Sequence, residues 1–106
     1  MEITEVKVFP VNEERLKAYV TVIFDNCFVV RDLKIINGNT GLFVAMPSKK
    51  RKDGTFRDIA HPLNSDMRNN MEQTILRHYE DELKRMTSAA QESMSALENK
   101  KKDPND

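Results

Sequence analysis

With 106 residues, 39% of them hydrophobic and 32% charged, the chain suits one domain and is too short for two of ordinary size. Seventeen Lys plus Arg balance seventeen Asp plus Glu, so net charge selects no partner, and without tryptophan the core must be mainly aliphatic. A single cysteine excludes an internal disulfide, and no run approaches the ~18 apolar residues of a membrane helix.

The first half reads in period two. Val6 and Val8 fall on one face of a first strand and Lys7 and Phe9 on the other, until Pro10, which cannot donate to a ladder, limits it. Leu16 to Phe24 alternates Leu16, Ala18, Val20, Val22 and Phe24 against Lys17, Tyr19, Thr21 and Ile23. After the turn-forming Asp25-Asn26, the β-branched run Phe28 to Asn37 predicts the return strand of an antiparallel hairpin. Cys27, beside that run and lacking a second thiol, reads as a small buried hydrophobe in a reducing cytosol. Asn37 to Gly41 is a loop in which Asn and Gly tolerate positive φ. The continuous apolar run Leu42 to Met46, closed by Pro47, suits a strand buried on both faces or lying at an interface. Ser48 to Gly54 reads as a mobile basic loop, and Thr55 to Ala60 as a short strand.

After His61-Pro62 the period changes. Asn64 and Ser65 are both good N-caps, and Asp66 complements the positive end of the helix dipole. Met67, Met71, Ile75, Tyr79, Leu83 and Met86 then recur every three or four residues, with Leu76 widening the stripe, which predicts an amphipathic helix. Beyond Thr87 the apolar signal thins to Ala90, Met94 and Leu97, either prolonging that helix or forming a second short one, and Lys100 to Asp106 reads as a flexible tail. The expectation is an α+β fold: an antiparallel sheet of four to five strands, then a C-terminal amphipathic helix. Residues 1–86 form the domain and residues 87–106 an extension.

Little here is suited to catalysis. His61 and His78 are the only histidines. Asp58, His61 and Ser65 crowd within eight residues, where local spacing does not assemble a triad. His61 before Pro62 reads as a loop residue bonded to backbone, and His78 as a boundary residue of the helix. Two scattered histidines and one cysteine lack metal-ligand spacing, and no glycine motif precedes the helix. No enzyme activity, cofactor, metal or small-molecule substrate is expected. The stronger signal is charge. Lys49, Lys50, Arg51, Lys52 and Arg57 face only Asp53 within their segment, leaving twelve cations and sixteen anions elsewhere. Such a cluster is either a solvated surface or an anion site, and a nearby Arg68 in the first helical turn would add to the second.

The stretch GLFVAMPSKKRKDGTFRDIAHPLN, residues 41–64, resembles the signature of the stage V sporulation protein G (SpoVG) family. MEITEVKVFPVN and FVVRDLKIINGNTG resemble the segments before it, so the likeness covers about residues 1 to 80. It implies a homodimer that binds DNA and RNA in bacterial gene regulation, affecting septum formation and sporulation or other adaptive programmes. Carried over by position, it implies nucleic-acid contacts at Lys49, Lys50, Arg57 and the helix start around Arg68, with Ser48 and Arg51 as neighbours; at Arg51-Lys52 many members have Thr-Pro, so this loop is more basic. Part of the run Leu42, Phe43, Val44 and Met46 is then assigned to a dimer interface. The expected protein is a cytoplasmic regulator; the rival reading is a protein–protein adaptor acting on the division machinery without touching nucleic acid.

Overall fold

The computed structural model describes residues 1–102, with the side chains of residues 1–87. It is α+β, as the residue pattern predicts. Four strands form one antiparallel sheet in the order β1-β2-β3-β4: β1 Ile3–Pro10, β2 Leu16–Phe24, β3 Phe28–Gly38 and β4 Gly41–Ala45. Two short strands, β5 Ser48–Lys50 and β6 Phe56–Asp58, pair separately as a second small sheet. A single helix, α1, runs from Ser65 to Lys102.

The sheet is a meander because its connections are short, residues 11–15, 25–27 and 39–40, the last two built on Asp, Asn and Thr. Asp25 and Asn26 both take left-handed φ (50° and 55°), and the Cys27 N–H closes the turn on the Phe24 carbonyl at 3.0 Å, the arrangement that matches strand twist. Cys27 therefore sits exposed on the turn, not buried as expected from its apolar neighbours. A bulge at Thr4 lets its hydroxyl donate to the Ile23 carbonyl and accept from the Asn26 N–H, tying the start of β1 to this turn. The predicted loop before β4 contracts to Asn39-Thr40, between the paired Gly38 and Gly41.

Alternation decides the core face in β2, where Ala18, Val20, Val22 and Phe24 are all buried. In β3 it breaks. Val20 pairs with Leu33 but Val22 with Val30, so Arg31 and Asp32 together oppose Thr21 in a bulge, and Asp32 takes φ 65°. The bulge moves the core positions from Val30 to Leu33 and Ile35, a shift that simple alternation misses.

The Asn64 side chain caps α1, accepting from the Met67 N–H at 2.8 Å. Met71, Ile75 and Tyr79 are buried against the sheet, with Met67 and Leu76 half-buried beside them. The helix crosses one face of the sheet and meets both β1 and β4. Its stripe outlasts the sheet: Leu83 and Met86 lie largely exposed. No second helix forms among the described residues, since α1 passes residue 86 without a break. Lys100 to Lys102 belong to α1 instead of a tail, while residues 103–106 and the side chains at Ala90, Met94 and Leu97 lie outside the described residues. Nor is any described helix long and apolar enough to cross a membrane.

Candidate nucleic-acid interface

The basic segment is an ordered hairpin, where a mobile loop was expected. At its base the Ile59 N–H donates to the Pro47 carbonyl at 2.7 Å, and Ser48 pairs with Asp58, Lys49 with Arg57 and Lys50 with Phe56. At its tip the Gly54 N–H reaches the Arg51 carbonyl at 3.0 Å, and the Arg51 N–H reaches Thr55 at 2.6 Å. Gly54 holds φ 89°, closing the turn as only glycine does at little cost. Asp53, the single anion between Lys49 and Arg57, turns inward and accepts from the Thr55 hydroxyl at 2.6 Å and its N–H at 3.0 Å. Those bonds hold its carboxyl below the ordinary value of 3.8, the hydroxyl contributing most.

Cross-strand register places Lys49 and Arg57 side by side on one face of the hairpin, with Cβ atoms about 4.5–5.5 Å apart. Like charges so close repel unless an anion lies between them. Together with Lys50, Arg51 and Lys52 they line an open hollow of about 520 Å³, with Asp58 and Ile59 at its base. Among the described residues none of these five cations is in an ion pair.

The other candidate residues divide. Arg68 does not line the hollow; it lies on α1, 4.0 Å from Glu72, partly neutralised by an i, i+4 neighbour. In the apolar run, Val44 and Met46 are buried in the chain's own core, whereas Leu42 and Phe43 are 39% and 40% exposed. β4 is thus an edge strand and not a strand covered on both faces, and its outer edge has no partner strand among the described residues. His61 Nδ1 lies 3.0 Å from the Pro62 carbonyl, the local backbone bond expected of it, and His78 is exposed on the helix with its Nδ1 2.9 Å from the Thr74 carbonyl. No cluster of three or more His, Cys, Asp or Glu able to hold a metal occurs among the described residues.

Among the described residues a four-stranded antiparallel sheet, one long helix and a separate basic hairpin define a small α+β protein whose basic cluster stands apart from its core. The SpoVG family model matches residues 1–81, and the chain belongs to that family. A protein of Anaeromyxobacter dehalogenans strain 2CP-C is 72% identical over 89 residues, covering 84% of this chain and 88% of its own length. One from Bdellovibrio bacteriovorus is 71% identical over 86 residues, covering 81% and 80%. One from Thermoanaerobacter sp. strain X514 is 58% identical over 81 residues, covering 76% and 88%. Each bears the name "Putative septation protein SpoVG". The matched part ends within α1, so the outer half of the helix lies beyond the family model.

Proposed function

We propose that this SpoVG-family protein is a non-enzymatic, cytoplasmic regulator that binds DNA or RNA through the β5–β6 hairpin. One observation carries the reading: five cations on an ordered hairpin, none in a described ion pair, with Asp58 the one carboxylate in their hollow and Asp53 occupied by Thr55. Maintaining that repulsion in the folded state is reasonable where polyanions are the ligand, because phosphates relieve it and release counterions. Lys49 and Arg57 are assigned the central phosphate contacts, with Lys50, Arg51 and Lys52 around them and Arg68 in a minor role, since Glu72 shares its charge. Phosphate contacts position a protein without reading sequence, so modest sequence selectivity is expected from the hairpin alone.

The regulator acts as a homodimer joined along the free edge of β4, where Leu42 and Phe43 supply exposed apolar surface. A twofold axis there sets two basic hairpins on one particle and raises their effective concentration for a single strand. The relatives' septation names and the exposed Leu83 and Met86 favour a second reading, an adaptor docking on a division protein through the outer helix.

Salt separates the two. Labelled RNA and duplex DNA are titrated at several salt concentrations against the wild type and Lys49→Ala/Lys50→Ala/Arg51→Ala/Lys52→Ala. Binding whose log K falls by about 0.7–0.9 per phosphate contact against log salt, and which the quadruple variant loses, supports the hairpin. Absence of binding at low salt rejects it in favour of the adaptor.

A further inference from the structure

The face of the sheet opposite α1 has a composition unlike a solvated surface. Phe9 pairs directly with Tyr19, and Tyr19 with Lys34, so two aromatic side chains and a cation share one row on that face. Phe9 is 54% and Tyr19 42% exposed. The hairpin brings a third ring: Phe56, 71% exposed, lines with Tyr19 an open hollow of about 650 Å³ that also holds Arg15, Asp32 and Lys34. Neither Arg15 nor Lys34 is ion-paired among the described residues. Phe56 is also the cross-strand partner of Lys50, so the aromatic hollow and the cationic hollow lie on the same short hairpin.

We propose that Phe9, Tyr19 and Phe56 form a platform on which unpaired bases stack, making single-stranded nucleic acid the preferred ligand of the basic hairpin. The proposal rests on the hairpin reading above and adds the class of strand. Exposed rings accept any base through its π-face, and cations between them meet the phosphates on either side of a stacked base. Duplex bases, already stacked on one another, have no use for such rings. The carboxylate of Asp32 would repel a phosphate but accepts from the amino group of a stacked base, which suits an unpaired base edge better than a backbone. Charge favours this occupant over a second copy of the chain: Arg15 and Lys34 outnumber Asp32 in the hollow, so a twofold copy would set a second net positive surface against it.

The test uses the full chain, labelled single-stranded RNA, single-stranded DNA and duplex DNA of equal length. The variants are Phe9→Ala, Tyr19→Ala, Phe56→Ala and Tyr19→Phe, with urea melts to verify folding. With no tryptophan and only Tyr19 and Tyr79 emitting, the part of the tyrosine fluorescence lost in Tyr19→Phe reports Tyr19. Expected is quenching of that signal by single strands, a loss of single-strand affinity of about five- to a hundredfold per alanine substitution, unchanged duplex affinity and salt slope, and retention of affinity in Tyr19→Phe. Alanine variants that bind single strands like the wild type, while the lysine-hairpin variant does not, overturn the platform and leave the hairpin reading standing. Wild type that binds no nucleic acid at low salt overturns both. Alanine variants that instead break a dimer and lose duplex and single strand equally assign this face to protein association and overturn the platform.

Discussion

The Asp53 carboxylate accepts from both the N–H and the hydroxyl of Thr55, and this pair of bonds shapes the turn that presents Arg51 and Lys52. Hydrogen bonding to the ionised form lowers its pKa, so the contribution of Asp53 to turn order is complete above the ordinary carboxylate value and is lost as pH falls through the lowered one. The amide-proton shift of Thr55 should therefore titrate with a midpoint below 3.8, and Asp53→Asn should abolish that titration. Asp32 matters through its backbone. At φ 65° it occupies the left-handed region, where a β-branched side chain clashes. Asp32→Val should cost about 1–2 kcal/mol in urea unfolding and Asp32→Gly essentially nothing, whereas equal losses would mean that the side chain, not the backbone, is what counts. Alternation of side chains cannot announce such a bulge, because the extra residue is recognised only by its mispairing with Thr21.

Among the elements, α1 is divided energetically at Tyr79. Up to that residue its stripe packs on the sheet; beyond it Leu83 and Met86 continue the same spacing with little to cover them. Ile75→Ala should destabilise by about 2–5 kcal/mol, since a fully buried side chain leaves a cavity. Leu83→Ala should change stability by only about 0.5 kcal/mol in the isolated chain. Chemical denaturation of both variants checks this, and a large loss at Leu83 that depends on protein concentration would mean that a second chain covers the outer helix. The stripe itself was legible from Met67 to Met86, and so was the cap, although Asn64 and not Ser65 provides it. The basic segment was legible as charge but not as structure. Four consecutive cations suggest solvated loop, yet the Asp53-Gly54 turn and the Phe56–Asp58 pairing fold them into a hairpin, which sets Lys49 against Arg57.

At the scale of the whole molecule, the proposed dimer and the proposed ligand would draw on the same sheet. If two copies join edge to edge at β4, Phe43→Lys should convert the dimer to a monomer in sedimentation equilibrium while leaving the thermal unfolding of the monomer nearly unchanged, because Phe43 is half outside the core. A variant that remains dimeric would move the interface elsewhere. The sequence by itself determined the family signature over residues 41–64, the period-two strands, the period of the helix and the density of positive charge, since each depends on residues near one another in the chain. Only the tertiary structure decided which face of the sheet the helix covers, that Val44 and Met46 belong to the core while Leu42 and Phe43 remain at an edge, that Cys27 is exposed, and that Phe56 and Tyr19 line one hollow. Those outcomes depend on which surfaces meet, and residues far apart in the chain carry no local mark of the partner against which they will pack.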